Sequence, residues 1–171
     1  MPAINGVVVF ELPHKQIDER GDFTKILSSG ITPELHTEEV FLSQTKKGFL
    51  RGLHLQNGPY LNNRIIACLA GKVFDVLLDL RPDSSTFLNI STIELNSLSP
   101  IGLYVPSGIA HGFQSLENGS QLIYFSDKGF NSNFDTGVSP IKSGIEWPIR
   151  VAGMSKRDVS LPSLSEYLSR I

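Results

Sequence analysis

The chain has 171 residues, 40% of them hydrophobic, with 15 basic and 17 acidic side chains and a net charge of -2. That length suits one domain over residues 1–171 with a sizeable core, and the apolar fraction excludes a disordered chain. The balanced charge lacks the basic footprint that nucleic acid demands, and no apolar stretch is long enough for a membrane span, so neither partner is expected.

The N-terminus has no charged segment followed by a long apolar core, since Val7 to Phe10 is only strand length. The expectation is a cytoplasmic chain without a signal peptide. The one cysteine, Cys68, lies in the apolar run 65–70 and reads as a small core residue.

Gly6 to Leu12 reads as a first strand stopped by Pro13. Residues 18–23 form a turn in which Gly21 can take a positive φ. Thr32 could cap a single helical turn that begins at Pro33. Glu38 to Thr45 is a strand, 46–48 a turn, and Phe49 to Leu55 a strand carrying Arg51 and His54. Residues 57–63 make a polar loop beside it. Arg64 to Leu69 and Val73 to Leu80 read as a hairpin across a tight turn at Gly71. In the second of these strands Val73, Asp75, Leu77 and Asp79 share one face, and Phe74, Val76, Leu78 and Leu80 share the other. The second face is oily throughout and is expected to meet the core. Strands continue from Thr86 to Leu95, break at 96–100, and resume at Ile101 to Val105. Gly112 to Leu116 and Ser120 to Ser126 read as another hairpin, and 131–139 as a polar loop. Leu164 to Leu168 is a short helix with Ser163 as its N-cap. Many short strands with Gly, Pro and Asn turns predict an all-β sandwich or barrel with a short C-terminal helical tail, and a jelly roll closes such a chain while hiding its edges.

Two histidines stand out. His54 follows Arg51-Gly52-Leu53, and His111 follows a Pro-x-Gly-x-x-His turn that could carry it into a barrel mouth. Asp75, mid-strand among apolar residues, is either buried against a partner such as a histidine or turned out to solvent. Tyr124 by composition is a core or surface aromatic, and Asp158 by itself is a surface acid in a polar tail. The residue two after His54 is Gln56 and no acid follows until Asp75, so a metal set is not expected; the pair His54 and His111 is all that remains of one. With no Gly-rich phosphate loop, phosphate would fall to Arg20, Arg51 and Arg64, each otherwise an ordinary surface charge.

Seven segments in order carry a resemblance: 18–21 (Asp-Glu-Arg-Gly), 51–54 (Arg-Gly-Leu-His), 71–76, 79–81, 85–87, 106–113 and 144–148. Together they resemble the dTDP-4-dehydrorhamnose 3,5-epimerase family of cupin-fold enzymes, along nearly the whole chain. The resemblance implies a cupin-type jelly roll, a nucleotide-linked 4-keto sugar as substrate, no metal and no cofactor, and a homodimer formed by strand exchange. It implies that His54 is the base, held by Asp158, and that Tyr124 is the acid on the other face of the sugar. Arg20 and Arg51 would contact the diphosphate. Arg64 stands near the sugar C4 oxygen where the family has Lys, and His111 with Asp75 forms a supporting pair. Gln56 and Phe130 complete the expected substrate-binding set. Departures from the family pattern fall at Lys25, Arg64, the loop 57–63, and Gly129-Phe130, where tyrosines that help hold the nucleotide often stand. Rival readings are inversion at one carbon only, a GDP- or CDP-linked sugar, a ketoisomerase, a metal cupin, and a non-catalytic sugar-nucleotide binder. Arg51 and His54 lie three positions apart and should face opposite ways on a regular strand. Either Gly52 permits a bulge, or Arg51 serves a partner's site.

Overall fold

The computed structural model describes residues 3–12, 15–30, 33–98 and 101–170. Twelve strands and two helices follow in chain order: β1 (Val8–Glu11), β2 (Lys15–Asp18), β3 (Gly21–Thr24), β4 (Glu39–Thr45), β5 (Leu50–Gln56), β6 (Arg64–Ala70), β7 (Lys72–Asp79), β8 (Ile90–Asn96), β9 (Ile101–Val105), β10 (Ile109–Ser115), β11 (Ser120–Ser126), β12 (Asp135–Gly137), α1 (Lys156–Val159) and α2 (Leu164–Leu168). One antiparallel sheet has the order β1-β9-β6-β11-β4 and a second the order β12-β5-β10-β7-β8, while β2 and β3 form a separate hairpin. The result is the expected all-β jelly roll with a short helical tail. Gly21 takes φ 127 as anticipated, but the turn expected over 18–23 is the tip of that hairpin. Pro13, Thr32 with its capped helical turn, and the break at Ser99-Pro100 involve positions outside the described residues. Residues 33–38 run without helix.

Two expected hairpins are not hairpins. β6 pairs with β9 and β11, while β7 pairs with β10 and β8. Likewise β10 lies in the second sheet and β11 in the first. Facing sheets stand roughly 10 Å apart, a gap that three or four residues of chain can cross. A tight turn therefore reports that the chain reverses, not which strand it bonds to next.

The expected oily face of β7 does pack in a hydrophobic core cluster, but the opposite face is buried as well. Val73 and Leu77 join Ile66, Cys68, Leu103, Phe113 and Leu122 in the core between the sheets. Val76, Leu78 and Leu80 lie on the outer side of the second sheet, under a cover that includes Val138, Trp147, Leu164 and Tyr167. The C-terminal segment is thus a third layer, and β7 is buried on both faces. The helix that anchors this layer, α2, is closed by a capping box between Ser163 and Glu166.

The register of β10 against β5 pairs His111 with His54 and Phe113 with Arg51. Two steps on β10 thus match three on β5, which is a bulge. Gly52 takes φ 101, and a Cβ there would stand 2.5 Å from the His111 carbonyl oxygen and 2.6 Å from Gly112 Cα. Only glycine fits this left-handed position against a touching backbone. The bulge brings Arg51 and His54 to one face, resolving the alternatives left by their spacing. Gly52→Ala is expected to destabilise the fold by about 2 kcal/mol or more in urea unfolding, because it adds both strain and overlap. An unchanged midpoint would contradict the bulge.

Candidate active site

One end of the space between the sheets is polar and opens into a cavity of about 520 Å³, lined by residues that include Arg51, His54, Arg64, His111, Tyr124 and Phe130. The second sheet supplies His54 and Arg51 from β5 and His111 from β10. The first supplies Arg64 from β6 and Tyr124 from β11.

His54 Nε2 lies 2.6 Å from Asp158 Oδ1. Asp158 is 2% exposed, so its reading as a surface acid is overturned. It sits in α1, which Ser155 caps by accepting the Asp158 N–H at 3.0 Å, and its Oδ2 accepts the Gly52 N–H at 3.4 Å. Burial alone would push the Asp158 carboxyl up, but the hydrogen bond and charge of His54 outweigh it and hold the carboxyl below its usual range. With Nε2 committed, Nδ1 is the ring nitrogen left for a substrate proton.

His111 Nε2 lies 2.6 Å from Asp75 Oδ2. Asp75 has no exposed surface, so the buried reading of its strand position is the correct one. Burial raises its carboxyl, with His111 and Arg64 opposing. Arg64 Nη2 donates to the Ile109 carbonyl at 3.0 Å. Burial lowers the Arg64 guanidinium, against the pull of Tyr124 and Asp75. Arg64 Nε and Asp75 Oδ1 are buried without a hydrogen-bond partner among the described residues. Orphaned groups of this kind are rare in folded proteins and ask for a reason.

Tyr124 is 6% exposed, and its ring meets His111 edge to face at 5.8 Å and stacks on Phe41 at 4.6 Å. Burial, helped by the negative charge of Asp75, raises its phenol well above the ordinary value. Arg51 donates from Nε to Thr45 Oγ1 at 2.8 Å and from Nη2 to the Gln44 carbonyl at 3.2 Å, both neutral acceptors.

The remaining expected residues take other places. Gln56 lines the cavity, but its amide nitrogen donates to the carbonyls of Tyr60 and Gly129, and its Oε1 accepts the Asn131 N–H at 2.6 Å. It braces the loop that carries Phe130. Phe130 stands 61% exposed at the cavity, its N–H donated to Glu39 Oε2 at 3.0 Å. Arg20 is away from this cavity, at the tip of the β2–β3 hairpin, paired with its own Asp18 at 2.6 Å. Among the cavity residues that had no sequence signal are Asp135 on β12 and Arg157 on α1, which form an ion pair. Both elements are too short and polar to be read from periodicity. Among the described residues no three His, Cys, Asp or Glu side chains converge as a metal set.

A histidine backed by a carboxylate, a phenol and a buried cation, gathered in one cavity of a jelly roll, define an acid–base isomerase of the cupin type. The chain belongs to the dTDP-4-dehydrorhamnose 3,5-epimerase family, whose pattern it matches over residues 2–166. It is 32% identical to dTDP-4-dehydrorhamnose 3,5-epimerase of Shigella flexneri, over 92% of this chain and 90% of that one. It is 31% identical to the enzyme of the same name from Salmonella typhimurium, covering 97% and 94%. Among solved structures it is similar to dTDP-4-dehydrorhamnose 3,5-epimerase of Elizabethkingia anophelis, with 30% identity, TM-score 0.86 and coverage of 97% and 95%. It is also similar to a 4-keto-6-deoxy sugar epimerase from the novobiocin gene cluster of Streptomyces spheroides, with 28% identity, TM-score 0.90 and coverage of 98% and 87%.

A carboxyl held low stabilises the fold above its unfolded pKa of about 4, and that stability is lost as pH falls through the lower folded value. Asp158→Asn is therefore expected to be less stable than the unaltered protein at neutral pH, with the gap narrowing through the acid range. Urea midpoints measured from pH 7 down to 3 check this; a gap independent of pH would contradict it.

Proposed function

We propose that the chain inverts C3, C5 or both in a nucleotide-linked 4-keto-6-deoxy sugar, with His54 as base and Tyr124 as acid. The observation that carries this reading is their placement on opposite sheets, facing one cavity. Carbons flanking the C4 carbonyl have acidic protons, and removing one puts the charge of the enolate on the C4 oxygen. His54 takes the proton, and Asp158 stabilises the imidazolium that results. The guanidinium of Arg64, with Nε–H unspent, is suited to hold the C4 oxygen as its charge develops. Tyr124, still protonated because its phenol is raised, returns a proton to the opposite face. The His111–Asp75 pair braces the floor between base and acid. Epimerisation changes no oxidation state, so the reading needs no redox cofactor.

Among the described residues Arg51 donates to the neutral oxygens of Thr45 and Gln44, which leaves its charge to meet the diphosphate. Phe130, clamped on both sides by Gln56 and Glu39 yet exposed, suits stacking against a nucleobase. A dTDP-linked sugar is favoured by the relatives' names. Arg20 would reach a diphosphate only in the cavity of a second copy. A homodimer is supported by the edge position of β4, with Val40 and Leu42 exposed, and by exposed Ile17 and Phe23 on the β2–β3 hairpin. The same reading puts the enzyme in the cytoplasm, in keeping with one unpaired cysteine.

Turnover of dTDP-4-keto-6-deoxyglucose, with GDP- and CDP-linked analogues beside it, is the test. His54→Ala is expected to lose about 10²- to 10⁴-fold in kcat. No turnover of any of the three by the unaltered protein would overturn the proposal.

A further inference from the structure

Phe41 is a large aromatic in an unusual position. It lies on β4, an edge strand of the first sheet, and faces the cavity rather than joining the buried core. It is 42% exposed. Its register partner across the strand pair is Tyr124, and the two rings stack at 4.6 Å between centroids with only 7° between their planes. The Tyr124 ring is also met by His111, at 5.8 Å between centroids and 70° between planes. The phenol ring thus touches both an imidazole and a stacked phenyl ring. An apolar side chain left half-exposed at a cavity mouth costs solvation, and an aromatic pair recovers only a small part beyond its buried area. Stability alone therefore gives weak grounds for placing it there.

We propose that Phe41 is a positioning residue for the acid: its stacked ring fixes the Tyr124 phenol and keeps water off the face that borders the cavity. This rests on the reading of Tyr124 as the proton donor. A donor must stay protonated until the enolate forms, and it must be nearer than any water able to deliver a proton without regard to face. The charged and titratable groups facing Tyr124 are Arg64 from β6, Asp75 from β7, His111 from β10 and Arg51 from β5. The two arginines favour the phenolate and Asp75 opposes it, with burial the largest influence. Phe41 is a cavity-side contributor to that burial, so removing its ring admits water and lets the arginines draw the proton off.

Two variants separate the outcomes. Phe41→Leu keeps an apolar side chain without the stack, and Phe41→Trp can keep it. The site lies on an edge strand and is half-exposed, so folding should survive. The first readout needs no substrate: the hydroxyl-bearing ring carbon of Tyr124 is labelled with ¹³C, assigned by its loss in Tyr124→Phe, and followed through alkaline pH. The Leu variant is expected to titrate about one pH unit or more below the unaltered protein, and the Trp variant to track the unaltered protein. In turnover, the Leu variant should lose about tenfold in kcat with KM within about twofold, and the basic limb of its pH profile should move down. Identical titration in the unaltered protein and the Leu variant would overturn the proposal, as would a rise in KM alone, which would make Phe41 a wall of the sugar site. If the unaltered protein turns over no sugar, the epimerase reading fails, while the titration still decides the role of Phe41.

Discussion

Two carboxylates sit inside this molecule almost wholly out of water, Asp75 with no exposed surface and Asp158 with 2%. Each would cost several kcal/mol if left alone. The chain answers both in the same way, with an imidazole nitrogen at 2.6 Å. Neither histidine can swing away without orphaning a buried carboxyl group, so both rings are fixed. A fixed ring with one nitrogen committed presents the other in a known direction, which is what a base needs.

The jelly roll then divides the chemistry between its sheets. His54, Arg51, Asp75 and His111 belong to the second sheet, while Arg64, Tyr124 and Phe41 belong to the first. On the proposed reading, a planar enolate bound between them would meet a base on one face and an acid on the other. The unspent Nε of Arg64 and Oδ1 of Asp75 show where the fold has given up hydrogen bonds that a purely structural interior would have satisfied. The bulge at Gly52 belongs to the same economy of space, because it places a cation and a base on one face of one strand.

Much of the fold was readable where breakers punctuate the chain. Ile101–Val105, Ser120–Ser126 and Leu164–Leu168 were anticipated with the same bounds that the structure has. Pairing was not readable: the turn at Gly71 and the one before Ser120 each pass the chain from one sheet to the other. The burial of the second face of β7 was not readable because alternation presumes one wet face, and β7 has none. In the site, the resemblance named His54, Tyr124 and Asp158 together, whereas composition alone left Asp158 a surface acid. Its burial depends on α1, a single turn with no apolar periodicity. Asp135 and Arg157 escaped for the same reason. Phe41 drew no notice in the sequence, since nothing local says that its cross-strand neighbour is Tyr124.

The central claim is that base and acid act from opposite faces, and deuterium tracing in Tyr124→Phe tests it most directly. With dTDP-4-keto-6-deoxyglucose in heavy water, the unaltered protein should incorporate deuterium with inversion. The Tyr124→Phe variant should still incorporate deuterium, because His54 still removes the proton, but with the original configuration retained. Inversion at an undiminished rate in that variant would contradict the account, since the second face would then be served by some other group.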